Sequence, residues 1–311
     1  METDLRTDQL ILAARELIEL GSDAWAGPHT DAFIEQVGRQ HGAGALYQKA
    51  TAKAIAQRDL EVSSSEQAAA GVYRNFIWTH FVCKLLMTAS PAMSVQYALT
   101  RFDIRELETA LGAVGSSILS CFHYTGYPLM ALRLAVSPMA PLISKARVDF
   151  LEKSPERISD HVVYLSDRSA PVRITRALKQ GTSVWVLLDV VLPEVREIRT
   201  EFLGRDMNVG AGIETIARLS GRPCLPLFWE VTNARTTLRT GAPISQADPS
   251  DDTLIQEFVK TQAAFIAAHP TQWLEWYSVL DEAPSVRAQV KQANEELWTR
   301  LSQALRHRSQ I

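Results

Sequence analysis

The sequence predicts an α/β protein, a sheet layered with helices and preceded by a helical N-terminal region. Three observations carry this prediction. Up to about position 111, apolar residues recur at helical spacing; beyond Ser116, short β-branched runs alternate with amphipathic segments. The third is size: 311 residues, 46% hydrophobic and 22% charged, can bury a layered core. Residues 1–111 are therefore read as a helical region packed on the core, and residues 112–311 as an α/β core closing with helices.

In chain order, Leu10, Leu12, Ala13, Leu17 and Ile18 fall on a helical period, and Gly21 stops that helix. Further helices are expected over 30–37, 45–56, 65–90 and 105–111. The β-branched runs predict strands over 117–122, 161–165, 183–188, 223–231 and 236–239. Helices over 129–136, 171–179 and 212–219 alternate with them, and helices over 252–268 and 286–307 close the chain. Strand-helix alternation of this kind lays helices over a sheet.

Composition excludes several classes. A formal net charge of −3 lacks the basic surplus of a nucleic-acid binder. Cys83, Cys121 and Cys224 are an odd count without metal-ligand spacing, so reduced thiols, a cytoplasmic location and no metal or cofactor are expected. The N-terminus has no basic segment followed by a clean apolar core, so it is not a signal peptide. No run reaches the ~18 apolar residues of a membrane span. The longest candidate, 76–87, is broken by His80 and Lys84.

Side chains able to do chemistry fall at the ends of the predicted strands. The run SSILSCFHYTGYPLMALRL ends its apolar strand at His123, where α/β proteins place catalytic bases. Leu178-Lys179-Gln180-Gly181 caps a helix and leads through Trp185 to Asp189, a carboxylate just beyond a second strand. Parallel strands bring their carboxyl ends to one edge, so His123 and Asp189 can share a cleft. Gly204-Arg205 and Gly210-Ala211-Gly212 then form a glycine-rich stretch opening a helix, which can present backbone N–H groups to an anion or oxyanion. His269-Pro270-Thr271-Gln272-Trp273-Leu274-Glu275-Trp276 follows a long amphipathic helix.

In that order, HYTGYP, LKQGTSVWVLLD, FLGRDMNVGAGIETIARLSGRPCLPLF and HPTQWLEW resemble the lysophospholipid-acyltransferase superfamily, in particular its bacterial lipid A late acyltransferase branch. The resemblance covers about residues 74–277. It implies a glycerolipid acyltransferase-like fold, a mixed sheet flanked by helices, with an apolar acyl tunnel beside the histidine. It also implies a thioester donor, either an acyl-carrier protein or coenzyme A, and a small-molecule or lipid acceptor. Members of this branch usually begin with a membrane-anchoring helix, which is not recognisable here, leaving peripheral membrane contact as an alternative.

The resemblance makes His123 the general base. The family pattern is H-x4-D/E, and the acid position is Pro128 in this chain. Asp189 is therefore the candidate to orient the imidazole, with a loop-capping role as its alternative. Tyr124 and Tyr127 are placed to orient the ring or donate to the oxyanion, or to serve as aromatic lid residues. Cys121, two positions before His123, faces the same side if the strand continues, so a covalent acyl–cysteine is weighed against a buried core thiol. Gly204, Arg205, Gly210, Gly212 and Trp185 are the candidate substrate-binding residues. His80 is expected in the core or lining the acyl pocket, and His269 at a helix end supporting Trp273 and Trp276. Arg168, Arg173, Arg176 and Lys179 form a basic face able to meet an acidic carrier protein. The expected function is acyl transfer from a thioester to a hydroxyl or amine in specialised metabolite biosynthesis. The alternatives are a peripheral lipid A or phospholipid acyltransferase and a non-catalytic acyl-binding relative.

Overall fold

The computed structural model of the chain describes residues 5–89, 91–139, 141–145, 161–165, 167–191, 196–232, 235–245 and 253–307. It opens with α1 (Leu5–Glu19), α2 (Pro28–Gln40), α3 (Gly44–Ala56) and α4 (Ser65–Ile77). Ser64 caps α4, its Oγ accepting from the Gln67 amide at 3.2 Å. The helix expected over 65–90 is not uniform. A π-helical turn, Trp78–Val82, separates α4 from α5 (Cys83–Ala89), and Pro91 opens a further helix, α6 (Pro91–Arg101). Position 90, and position 252 at the start of a later expected helix, lie outside the described residues.

After β1 (Phe102–Asp103) and α7 (Arg105–Val114) come the core elements. These are β2 (Ile118–Cys121), α8 (Tyr127–Ala135), β3 (Leu142–Lys145), β4 (Val162–Tyr164), α9 (Ala170–Lys179) and β5 (Val184–Leu187). They are followed by β6 (Glu197–Phe202), β7 (Arg205–Gly210), α10 (Gly212–Ser220), β8 (Cys224–Phe228), β9 (Thr236–Thr237) and β10 (Arg239–Thr240). The chain closes with α11 (Thr253–Ala268), a short 3₁₀ turn at Trp276–Val279, and α12 (Ala283–His307).

The main sheet has six strands in the order β10-β8-β2-β5-β3-β4. All neighbours are parallel except the β10–β8 edge pair, so the sheet is mixed, as the resemblance implies. β2 is central, buried at all four positions, with β5 on one side and β8 on the other. The chain passes from β5 to β8 across β2, which makes the carboxyl end of β2 the point where an open α/β sheet leaves a crevice.

The helical N-terminal region is tied to that edge. Tyr47 Oη donates to Leu274 O at 2.6 Å, Asn75 Nδ2 donates to Thr271 O at 2.7 Å, and the Gly126 amide donates to Thr79 Oγ1 at 2.9 Å. β1 also pairs in parallel with β9, so residues before position 111 supply a strand as well as helices.

Four strands in the structure have no counterpart among the expected ones: β1, β3, and β6 and β7, which form a hairpin. Along β6, Glu197, Arg199 and Glu201 face solvent while Ile198, Thr200 and Phe202 are buried, the period of two that a half-buried strand requires. Phe202 pairs with Arg205 around a two-residue turn in which Leu203 (φ 52°) and Gly204 (φ 75°) both have positive φ, the geometry of a tight hairpin turn. A Cβ at position 204 would run into the Asp59 carboxylate. The Asp59 amide also donates to Leu203 O at 3.2 Å, pinning the turn to the segment after α3.

Candidate active site

His123 lies two residues beyond β2, and Asp189 two residues beyond β5. The register pairs Ile118 with Val184 and Cys121 with Leu187. Carried two residues further, it sets position 123 opposite position 189. The chain does not leave β2 in extended form: the Tyr124 amide bonds back to Phe122 O at 2.9 Å, a γ-turn with His123 at its centre.

The contacts are close. His123 Nδ1 is 2.6 Å from Asp189 Oδ1, and the His123 backbone N–H donates to Asp189 Oδ2 at 2.8 Å. The Trp273 indole Nε1–H donates to the same Oδ2 at 2.7 Å. The Asp189 side chain is fully buried, while that of His123 keeps 18% of its surface exposed.

Burial alone raises a carboxyl pKa, but the His123 charge and the hydrogen bonds from His123 and Trp273 outweigh it, holding Asp189 below 3.8. Burial likewise pulls the imidazole down, yet the Asp189 charge and hydrogen bond outweigh that and leave His123 above 6.5. An ionised carboxylate only accepts, so Nδ1 carries the proton in this pair and Nε2 is left as the basic nitrogen. This is the orienting arrangement of a His–Asp pair, with the acid supplied by a neighbouring strand. Position 128, where the family pattern has its acid, holds a buried proline in the first turn of α8.

The HPTQWLEW segment braces the loop. Thr125 N and Oγ1 both donate to Gln272 O, at 2.8 and 3.1 Å, and the Leu274 amide donates to His123 O at 3.0 Å. Trp273 thus does more than pack, and its sign in the sequence is the indole N–H, a donor that needs an acceptor when buried. His269 follows α11, its amide bonded to Phe265 O at 3.0 Å and its Nδ1 3.4 Å from Glu230 Oε2.

The other candidate residues divide. Tyr127 stays at the site, its ring centroid 4.9 Å from that of His123 and nearly perpendicular to it. Tyr124 does not orient the imidazole. Its hydroxyl donates to Gln262 Oε1 at 2.5 Å, in a buried pocket against Trp229 and Phe265. Tyr124→Phe is therefore expected to destabilise the protein by about 1–3 kcal/mol, by leaving Gln262 Oε1 without its donor, with kcat unchanged; denaturant unfolding and steady-state kinetics check both halves.

Cys121 is a core thiol. The period of two does not carry over to His123, because the strand ends at Cys121 and the γ-turn follows. Its Sγ accepts from Trp185 Nε1 at 3.3 Å, and burial pushes its pKa well up, so the nucleophilic thiolate is disfavoured. Trp185, buried on β5 and engaged with that sulfur, is a core residue rather than a substrate contact.

The glycine-rich stretch is also redistributed. Gly204 lies in the turn just before β7 and Gly210 ends that strand, about 20 Å away at strand rise. They are not one anion-binding turn. Arg205 is exposed beside the hairpin turn, whereas Gly212 opens α10 behind Ala211. Phe202, at the turn end, packs against Phe122 and Trp273 with centroids 6.1 and 5.0 Å away, which places the Gly204–Arg205 end on the His123 side.

Arg168, Arg173, Arg176 and Lys179 are exposed on or before α9, and among the described residues only Arg173 lies near a carboxylate, 4.0 Å from Asp167. Among the described residues no helix is long and apolar enough to cross a membrane, and no three His, Cys, Asp or Glu side chains gather where they could hold a metal ion.

The profile of the family described as bacterial lipid A biosynthesis acyltransferase matches residues 101–277. No curated protein matches the chain. Among solved structures it is similar to the 1-acyl-sn-glycerophosphate (LPA) acyltransferase PlsC from Thermotoga maritima, at 11% identity, covering 74% of this chain and 98% of that one with a TM-score of 0.37. The profile takes in the His123 loop, Asp189, the hairpin and the Trp273 segment, more than half of the sequence, and on that ground the chain belongs to the bacterial lipid A biosynthesis acyltransferase family.

Proposed function

We propose that this acyltransferase moves an acyl group from a carrier-protein or coenzyme A thioester to a hydroxyl or amine acceptor, with His123 as the general base. The single observation that carries this reading is the buried His123–Asp189 pair. It leaves Nε2 as the basic nitrogen of an imidazole whose side chain keeps 18% of its surface exposed, at the carboxyl edge of the sheet. The acceptor O–H or N–H attacks the thioester carbonyl carbon while Nε2 takes its proton. Collapse of the tetrahedral intermediate breaks the C–S bond, and the imidazolium returns the proton to the leaving thiolate. Asp189 stabilises the imidazolium between the two steps and fixes the tautomer.

The exposed basic residues of α9 support a donor carried on an acidic protein, since opposite charge speeds encounter and fixes orientation. A place in specialised metabolite biosynthesis goes with the departure at Pro128, which sets this chain apart from the pattern of its family. The family match favours a second reading, a lipid A or phospholipid acceptor met peripherally at the membrane.

The test is intact-mass analysis of wild type and His123→Ala with a panel of acyl-carrier and coenzyme A thioesters, each with amine, hydroxyl and lipid acceptors. Wild type is expected to transfer the acyl group, and His123→Ala to lose about 10²–10⁴-fold in rate. Transfer to lipid acceptors alone selects the second reading. Absence of turnover with every pair, or equal rates in both proteins, overturns the proposal.

A further inference from the structure

The π-helical turn at Trp78–Val82 touches the His123 loop at three successive residues. A Cβ on Gly126 would stand 2.8 Å from Trp78, Thr79 Oγ1 accepts from the Gly126 amide at 2.9 Å, and the His80 ring lies edge-on to Tyr127 at 6.3 Å. One wide turn in an α-helix rotates the following side chains off the regular face, and such turns gather at functional sites.

Here the turn singles out His80. Its neighbours Trp78, Thr79, Phe81 and Val82 are buried, whereas His80 remains partly exposed. Phe76, His80, Tyr127 and His123 form a continuous run of rings, with successive centroids 4.3, 6.3 and 4.9 Å apart. Phe76 and Tyr127 hold the His80 ring from two sides, but no hydrogen bond to its nitrogens is made among the described residues. A histidine used only for packing has no need of two polar atoms. Burial, and then the proximity of the His123 charge, push His80 down to about 3, so it is a neutral imidazole whenever His123 works. A neutral imidazole has one N–H to donate and gains nothing from taking the substrate proton.

We propose that His80 is a further catalytic residue, donating its ring N–H to the thioester carbonyl oxygen as that oxygen becomes negative. This rests on the acyl-transfer reading above. In the step, the acceptor oxygen or nitrogen bonds to the carbonyl carbon, its proton passes to His123 Nε2, and the C=O electron pair moves onto oxygen. The His80 hydrogen bond shortens onto that oxyanion without transferring its proton. The pair then returns to re-form C=O as C–S breaks, and the thiolate takes the proton from His123. A donor of this type stabilises the intermediate more than the ground state, so its removal acts on kcat rather than KM.

Three variants separate donation from packing: His80→Phe keeps an aromatic ring, His80→Ala removes it, and His80→Gln restores an N–H donor without the ring. Loss of about 10²–10³-fold in kcat is expected for Phe and Ala, with KM within a few-fold and part of the rate recovered by Gln. The acidic limb of the pH–rate profile should stay with His123 in all three. His80→Phe turning over at the wild-type rate, or His80→Gln no better than His80→Ala, would overturn the proposal. A long-chain alkylphosphonate, which mimics the tetrahedral oxyanion, supplies a readout independent of turnover. Wild type should bind it at least about tenfold more tightly than His80→Phe, and equal affinity overturns the assignment. Wild type inactive toward the whole thioester panel, yet selective for the phosphonate through His80, would instead overturn the choice of donor.

Discussion

Asp189→Asn is expected to lower turnover by about 10³–10⁴-fold while the protein still folds. The asparagine is nearly isosteric, but its amide can offer only one acceptor oxygen where the aspartate offers two. Three N–H groups converge on Asp189, from His123 Nδ1, the His123 backbone and Trp273 Nε1. Whichever way the amide turns, its NH₂ faces a donor, and the imidazole is driven toward the tautomer that leaves Nε2 protonated and useless as a base.

The residual activity carries a second signature. In wild type the carboxylate overcomes burial and keeps His123 above 6.5. Without that charge, only the Glu275 charge still opposes burial and the Arg287 charge, and the histidine pKa falls. The base works only when neutral, so the acidic limb of the rate profile should move to lower pH in the slower enzyme. A limb that stays in place would show that Asp189 does not control the base.

Stability should follow the same pair. The raised pKa of His123 adds stability in full below 6.5, and this is lost as pH rises through its folded-state value. The lowered pKa of Asp189 adds stability above 3.8, lost as pH falls through its folded-state value. The Tm difference between wild type and Asp189→Asn should therefore be largest between pH 3.8 and 6.5.

Gly126→Ala is the second large effect. Gly126 sits at φ 72° as the cap before α8, and a side chain there costs about 1–2 kcal/mol in backbone strain. The new methyl would also meet Trp78 at 2.8 Å, at the point where the Gly126 amide holds Thr79. Relief requires either the loop or the π-turn to move, and each carries an imidazole. A displacement on the order of 1 Å can cost about 10²-fold in rate. The expected outcome is a lower Tm together with a fall of roughly 10–10²-fold in kcat. A variant with wild-type kcat and reduced Tm would mean that the two segments are coupled for stability alone.

Much of the architecture is legible in the residues because it is written locally. The apolar run ending at His123, the glycine stop before β5 and the period of α9 and α10 are patterns of neighbours in sequence. The β6–β7 hairpin carries a period of two just as clear, but Gly204 and Gly210 draw attention to one turn where a strand runs between them.

By itself, then, the sequence determined an α/β layer fold, a histidine at the end of an apolar strand, and the ordered motifs by which the family is recognised. The tertiary structure alone decided which groups serve that histidine. Asp189 reaches His123 because β5 lies beside β2, although β3 and β4 come between them in the chain. Strand adjacency is a long-range choice that no window of residues contains. Cys121 and Tyr124 lost their place at the site to a γ-turn that breaks the alternation of faces, and His80 gained one through a helical turn widened by a single residue. In each case side-chain direction depends on a few backbone angles, and those angles are set by packing against distant parts of the chain.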